Sequence, residues 1–282
     1  MKSFLLTWPK PYFIISSYEL FNHRRGDVNM ETLTFRRKDM ADLMLSLSGH
    51  LEKSPLAILQ DTWRIQHEND LEQGKSMSAF LSTTLPPLIE KMIKSAIKPA
   101  FSLSDIVALG TQVEFTQFSV TSIQNWVKRD FKELIGLPED GKKYSLQQVA
   151  LFFIIEDLRS SLDYDSIRKL FHILFSSTSY SCAEQTITPL KFYSIYSELY
   201  EVLDARYRNY VGNSQDFISK WDQMLDEAAH EYAVSHCPHA NAKEQEMLKN
   251  AIHVAIISVH SSSFNSLARR YVNGMVFLHS FK

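Results

Sequence analysis

Val120-Thr121-Ser122-Ile123-Gln124-Asn125-Trp126-Val127-Lys128-Arg129 is the stretch whose reading decides the fold. At a 3.6-residue period Val120, Ile123 and Val127 share one side, with Trp126 beside them. The segment therefore reads as an amphipathic helix that buries those four residues. Ser119 or Thr121 supplies its cap. Thr121, Gln124, Asn125 and Lys128 then fall toward the outside, and Ser122 and Arg129 adjoin them. Gln or Asn pairs bidentately with adenine and Lys reaches guanine or phosphate, so these residue types suit the reading of duplex DNA.

Working outward, Ser104 is expected to cap a short helix through Leu109, with Gly110 stopping it and residues 111–118 forming a turn. Downstream, Leu137-Pro138-Glu139-Asp140-Gly141-Lys142-Lys143-Tyr144 carries the tight-turn pair Asp140-Gly141 between short extended arms. Ser145 caps an apolar helix to about Leu162, and Asp163 caps another from Tyr164 to about Phe175. The order is helix, turn, helix, small wing, helix, helix.

The flanks are helical as well. Met40, Leu43, Met44 and Leu47 keep helical spacing up to Gly49. Ser54-Pro55 and Thr188-Pro189 each place a cap before a proline whose missing donor costs nothing at a helix start. A polar stretch, residues 69–78, separates the second helix from one opened by Pro86-Pro87 and closed by Pro99. Helices are expected from Thr188 to about Val211, from Ser214 to about Val234, and as one or two between Lys243 and His279. Residues 1–30 show no helical period and read as an appended segment, with Met30 a candidate natural start; an ordered arm packing Trp8 and Phe13 is the alternative. The expectation is a nearly all-α protein: residues 31–176 as a helical domain containing the helix-turn-helix and wing (about 104–176), then 177–282 as a C-terminal helical domain for dimerisation or sensing.

Apolar residues make up 45% of the 282 and charged residues 22%, which excludes fibrous and disordered classes. Lys plus Arg number 30 against 32 Asp plus Glu, a net −2, so any attraction to nucleic acid must be local. Two cysteines cannot frame a disulfide fold, which favours the cytoplasm. The longest apolar run, Val149 to Ile155, is far too short to cross a membrane. No P-loop, GxGxxG, HExxH or GxSxG pattern occurs. A non-enzymatic protein without cofactor or metal is expected.

The 120–129 segment, followed by Gly141-Lys142-Lys143-Tyr144-Ser145-Leu146-Gln147-Gln148-Val149, resembles the helix-turn-helix and wing of MerR-type DNA-binding domains. Residues 157–168 resemble that superfamily's pair of helices after the wing. More narrowly, Ile123-Gln124-Asn125-Trp126-Val127-Lys128 and Lys143-Tyr144-Ser145 resemble an uncharacterised bacterial family known only as a domain of unknown function, DUF1836. The MerR resemblance implies a transcriptional regulator that binds double-stranded DNA as a homodimer, through Thr121, Ser122, Gln124, Asn125, Lys128 and Arg129 on the reader helix and Lys142, Lys143 and Tyr144 on the wing. Trp126 stands where that superfamily more often has tyrosine, and residues 130–142 are longer than the usual connection to the wing.

Other readings remain open beside this one. Residues 103–176 carry 8 basic and 10 acidic residues, although five of the basic ones lie between Lys128 and Lys143. The outer face could be a solvated surface only, or the scaffold a protein-interaction module without DNA affinity. Phe192, Tyr193, Tyr196, Tyr200, Tyr207 and Tyr210 form an aromatic stripe that reads as core or dimer interface, or else as the wall of a small-molecule pocket. His230, His236, Cys237 and His239, with Cys182, could hold a soft metal or simply mark a surface loop.

Overall fold

The computed structural model describes residues 31–85, 87–94, 99–175, 187–209 and 217–280. The appended segment 1–30 and the start at Met30, Pro86, Cys182, Tyr210 and Ser214 lie outside the described residues, as does the side chain of Tyr207. The described chain is mostly helical. Its only sheet among these residues is a parallel pair of two-residue strands, β1 (Glu31–Thr32) beside β2 (Thr83–Thr84).

Helix α1 (Arg37–Leu47) is followed by Gly49, whose φ of 79° lies in the left-handed region that glycine tolerates. α2 (Pro55–Gln66) starts as expected, with Ser54 Oγ accepting the Ala57 N–H and Pro55 in the first turn. The polar stretch expected between helices instead holds α3 (Glu68–Glu72) and the start of α4 (Ser76–Ser82). α5 (Pro87–Lys94) leads to α6 (Leu103–Gly110).

The cap of α6 is Ser102 rather than Ser104. Ser102 Oγ accepts the Asp105 N–H at 3.2 Å, and the Asp105 carboxylate accepts the Ser102 N–H at 2.9 Å. A capping box needs the acidic residue three positions after the serine, and only Ser102 has one there. Gly110 ends this helix because residues 111–118 fold straight back over it. A Cβ at Gly110 would stand 2.3 Å from the buried Phe118 ring. Phe115 makes the return with a φ of 61°, unusual for a bulky residue.

The reader segment begins at α7 (Val120–Asn125) and runs on as a π-helical turn (Trp126–Asp130), in which the Phe131 N–H donates to Trp126 O at 2.9 Å. A single turn, α8 (Lys132–Ile135), closes it at Gly136. Then come α9 (Leu146–Leu158) and α10 (Tyr164–Phe175), both starting at their expected caps. The first ends four residues earlier than the sequence reading. α11 (Pro189–Asn209), α12 (Phe217–His236) and α13 (Ala242–His279) complete the chain, and Lys243 to His279 is thus one continuous helix.

α9 is the centre of the fold: every residue from Val149 to Leu158 is buried, charged ones included. α11 and α13 pack on it, and α1 packs on α11. One contiguous core therefore runs from Leu33 to Val259 and joins residues 31–176 to residues 177–282. Phe192, Tyr193, Tyr196 and Tyr200 are part of that core. No helix among the described residues is long and apolar enough to cross a membrane.

Candidate nucleic-acid interface

Ser119 Oγ accepts the Ser122 N–H at 3.1 Å and so fixes where the reader helix starts. Ile123 and Trp126 are fully buried and set its rotation. Trp126 stacks on Phe152 of α9, with centroids 6.4 Å apart, and its indole N–H donates to the Tyr164 hydroxyl at 3.2 Å. Val120, expected inside, is 46% exposed. With Ile123 and Trp126 innermost, Val120 lies about a quarter turn from the core direction. Val127 is half-buried.

This rotation leaves Thr121, Gln124, Asn125, Lys128 and Arg129 exposed, with Ser122 half-exposed. The Arg129 guanidinium donates to Asp130 from Nε at 2.7 Å, and that hydrogen bond and charge raise its pKa. Lys128, Lys132, Lys142 and Lys143 are exposed and form no ion pair among the described residues.

The wing leaves Gly136 at a φ of 75° and turns at Gly141, φ 61°, where Asp140 and Lys143 exchange backbone hydrogen bonds of 2.9 and 3.2 Å. Lys142 and Lys143 stand on the outside of this turn. Tyr144, expected to touch DNA, instead points into the core. Its backbone pairs with Phe101 and its ring packs edge-on against Phe152 at 5.6 Å. Successive residues of an extended arm face opposite ways, so an outward Lys143 requires an inward Tyr144. Burial also raises its phenol pKa, which leaves it a neutral packing residue.

Several residues that position this surface were not foreseen. Gln148 completes a capping box with Ser145, and its Nε2 donates to the carbonyls of Ile135 at 2.8 Å and Leu137 at 2.7 Å. It thereby fixes the point at which the wing departs. The spacing Ser145-x-x-Gln148 was the available signal. Glu156, buried on α9, accepts the Gln117 N–H at 2.7 Å and two hydrogen bonds from Arg159, so it holds the chain just before the reader helix. Arg159 also covers the Trp126 ring at 5.8 Å. Arg168 donates to Asp130 O at 2.7 Å and caps the end of the π turn. Two of the basic residues in this region therefore serve the scaffold rather than a ligand.

Among the described residues no three His, Cys, Asp or Glu side chains gather as metal ligands. His236 Nδ1 lies 2.9 Å from Tyr232 O, and Cys237 is buried.

Comparison with known proteins places this surface inside a shared region. The family model described as "Domain of unknown function (DUF1836)" matches residues 103–196, from the first residue of α6 into α11. The chain is 36% identical over 169 residues to "Uncharacterized protein YkrK" of Bacillus subtilis (strain 168), a match covering 58% of this chain and 67% of that protein. No solved structure matches. The alignment spans two thirds of that relative and the family model covers α6 to α10 entire; the chain belongs to the DUF1836 family.

Proposed function

We propose that this protein is a DNA-binding transcriptional regulator of MerR-like type, with residues 120–130 entering the major groove and the wing touching the adjacent backbone. The observation that carries this reading is the composition of one outward surface. Amide and hydroxyl side chains able to meet base edges (Thr121, Gln124, Asn125) stand with the exposed lysine Lys128, while the wing presents Lys142 and Lys143. Arg159 and Arg168 belong to the scaffold, so the net charge of residues 103–176 understates how cationic the contacting surface is. Phosphate contact is decided by local charge.

Selection of duplexes from a random pool, followed by titration at several salt concentrations, tests the reading. Binding that weakens steeply with salt and enriches one sequence supports it. No binding near ~50 mM salt, where non-specific affinity is high, would overturn it. In that case exposed Glu133, Glu139 and Asp140 among the lysines would favour a protein partner instead.

A further inference from the structure

α13 changes sides partway along its length. Leu248, Ala251, Ile252, Ala255, Ile256 and Val259 are buried against the body, and no residue of the helix after Val259 is buried. Beyond Ser261-Ser262-Ser263 a second apolar stripe begins: Phe264, Leu267, Tyr271, Met275 and Leu278. With about 100° between successive residues, this stripe faces about 140° away from the buried one. It is therefore not a frayed continuation of the core contact. Phe264 is 53% exposed, Tyr271 67%, Met275 70% and Leu278 71%.

We propose that this stripe is the docking surface for a second copy of the chain, which pairs through the C-terminal half of α13. Its spacing of three and four residues is that of a seam between two helices lying side by side. Area supports the same occupant. With roughly 100 to 130 Å² still exposed on each of the five side chains, pairing buries about 1,000 to 1,300 Å² over two copies, enough for a specific interface. Charge does not oppose it, because Arg269 lies nearly opposite the stripe and no acidic residue follows Glu246. A helix resting on anionic lipid would carry a polar side rich in lysine and arginine. Here that side holds Asn265, Ser266, Asn273 and Ser280 around the Arg269-Arg270 pair.

Sedimentation velocity of the full chain at micromolar concentration tests this pairing without reference to DNA, so its outcome is separate from that of the regulator reading. A dimer is expected, and Leu267→Glu with Tyr271→Glu should convert it to a monomer with unchanged helical content and melting temperature, since neither residue is buried. Arg269→Ala should remain dimeric. A monomeric wild-type chain overturns the proposal, as does a dimer that survives the double substitution. Dimerisation that appears only when residues 1–29 are removed also overturns it, because the chain would then cover its own stripe. So does a monomer that binds anionic vesicles through Leu267 and Tyr271.

Discussion

The Arg37 guanidinium donates from Nε at 2.9 Å and from Nη2 at 2.8 Å to one oxygen of Asp157, with both side chains sealed inside the core. The other carboxylate oxygen accepts the Tyr196 hydroxyl at 2.7 Å. Burial disfavours the Arg37 charge, but the neighbouring carboxylate and its hydrogen bonds outweigh that cost and raise the pKa of the guanidinium. Burial and the Asp157 charge likewise raise the Tyr196 phenol, which stays a donor at all ordinary pH. Three helices, α1, α9 and α11, meet at this one carboxylate. Removing a single partner strands a buried charge, so Arg37→Ala should cost about 3 to 5 kcal/mol in urea unfolding. Arg37→Met combined with Asp157→Leu should cost markedly less than the sum of the two single changes, as a double-mutant cycle will read.

Trp126 has no exposed surface and fills the space between the reader segment, Phe131 and Phe152. Trp126→Ala should destabilise by about 3 to 5 kcal/mol through lost transfer energy and a cavity. Trp126→Phe should cost less yet still lose the hydrogen bond to Tyr164. Thermal unfolding of the three proteins checks the order.

Alanine usually stabilises a helix relative to glycine. At Gly110 the opposite is expected, because the added methyl meets the Phe118 ring. Gly110→Ala should lower stability by about 1 to 3 kcal/mol, and Phe118→Leu in the same chain should recover part of it. A stabilised single variant would mean that residues 111–118 do not pack as described.

The Asp163 carboxylate accepts the Ser166 N–H at 2.8 Å, and that hydrogen bond lowers its pKa below the usual value. A carboxyl depressed by folding contributes stability above its unfolded pKa and loses it as pH falls through the folded one. Asp163→Asn should keep the cap at neutral pH and remove this part of the acid sensitivity. Paired denaturation curves at neutral and strongly acidic pH will separate the two proteins.

If Gln124 or Asn125 reads a base, its replacement by Ala should relax preference at one position by about 1 to 3 kcal/mol. Lys142→Ala or Lys143→Ala should weaken all sequences alike and reduce the salt slope by about one unit per lost phosphate contact. Tyr144→Phe should leave affinity unchanged, since the hydroxyl belongs to a buried ring.

The helical class and most helix starts were legible because caps and prolines act within three or four residues of one another. Ser54, Ser119, Ser145 and Asp163 all serve as read. Ser102 was passed over for Ser104 although Asp105 marked the former. The outward set Gln124, Asn125 and Lys128 followed from periodicity, whereas Val120 did not, because two bulky neighbours set the rotation. Tyr144 was misjudged by grouping it with Lys142 and Lys143 instead of alternating along the arm. Arg37 with Asp157, and Gln117 with Glu156, were beyond reach: long-range pairing of charges leaves no local period.

The π turn at Trp126–Asp130 holds one residue more than the α-helical turn it replaces. A deletion of one residue there would restore a regular helix while leaving Gln124 and Asn125 upstream untouched. Everything downstream would swing by about 100°, taking Phe131 off the Tyr164 ring and the Asp130 carbonyl away from Arg168. Chain length between Trp126 and Phe131 is thus under tighter constraint than residue identity on the exposed face. Substitutions can retune that face freely, but gains or losses of residues within it disconnect it from the helices behind.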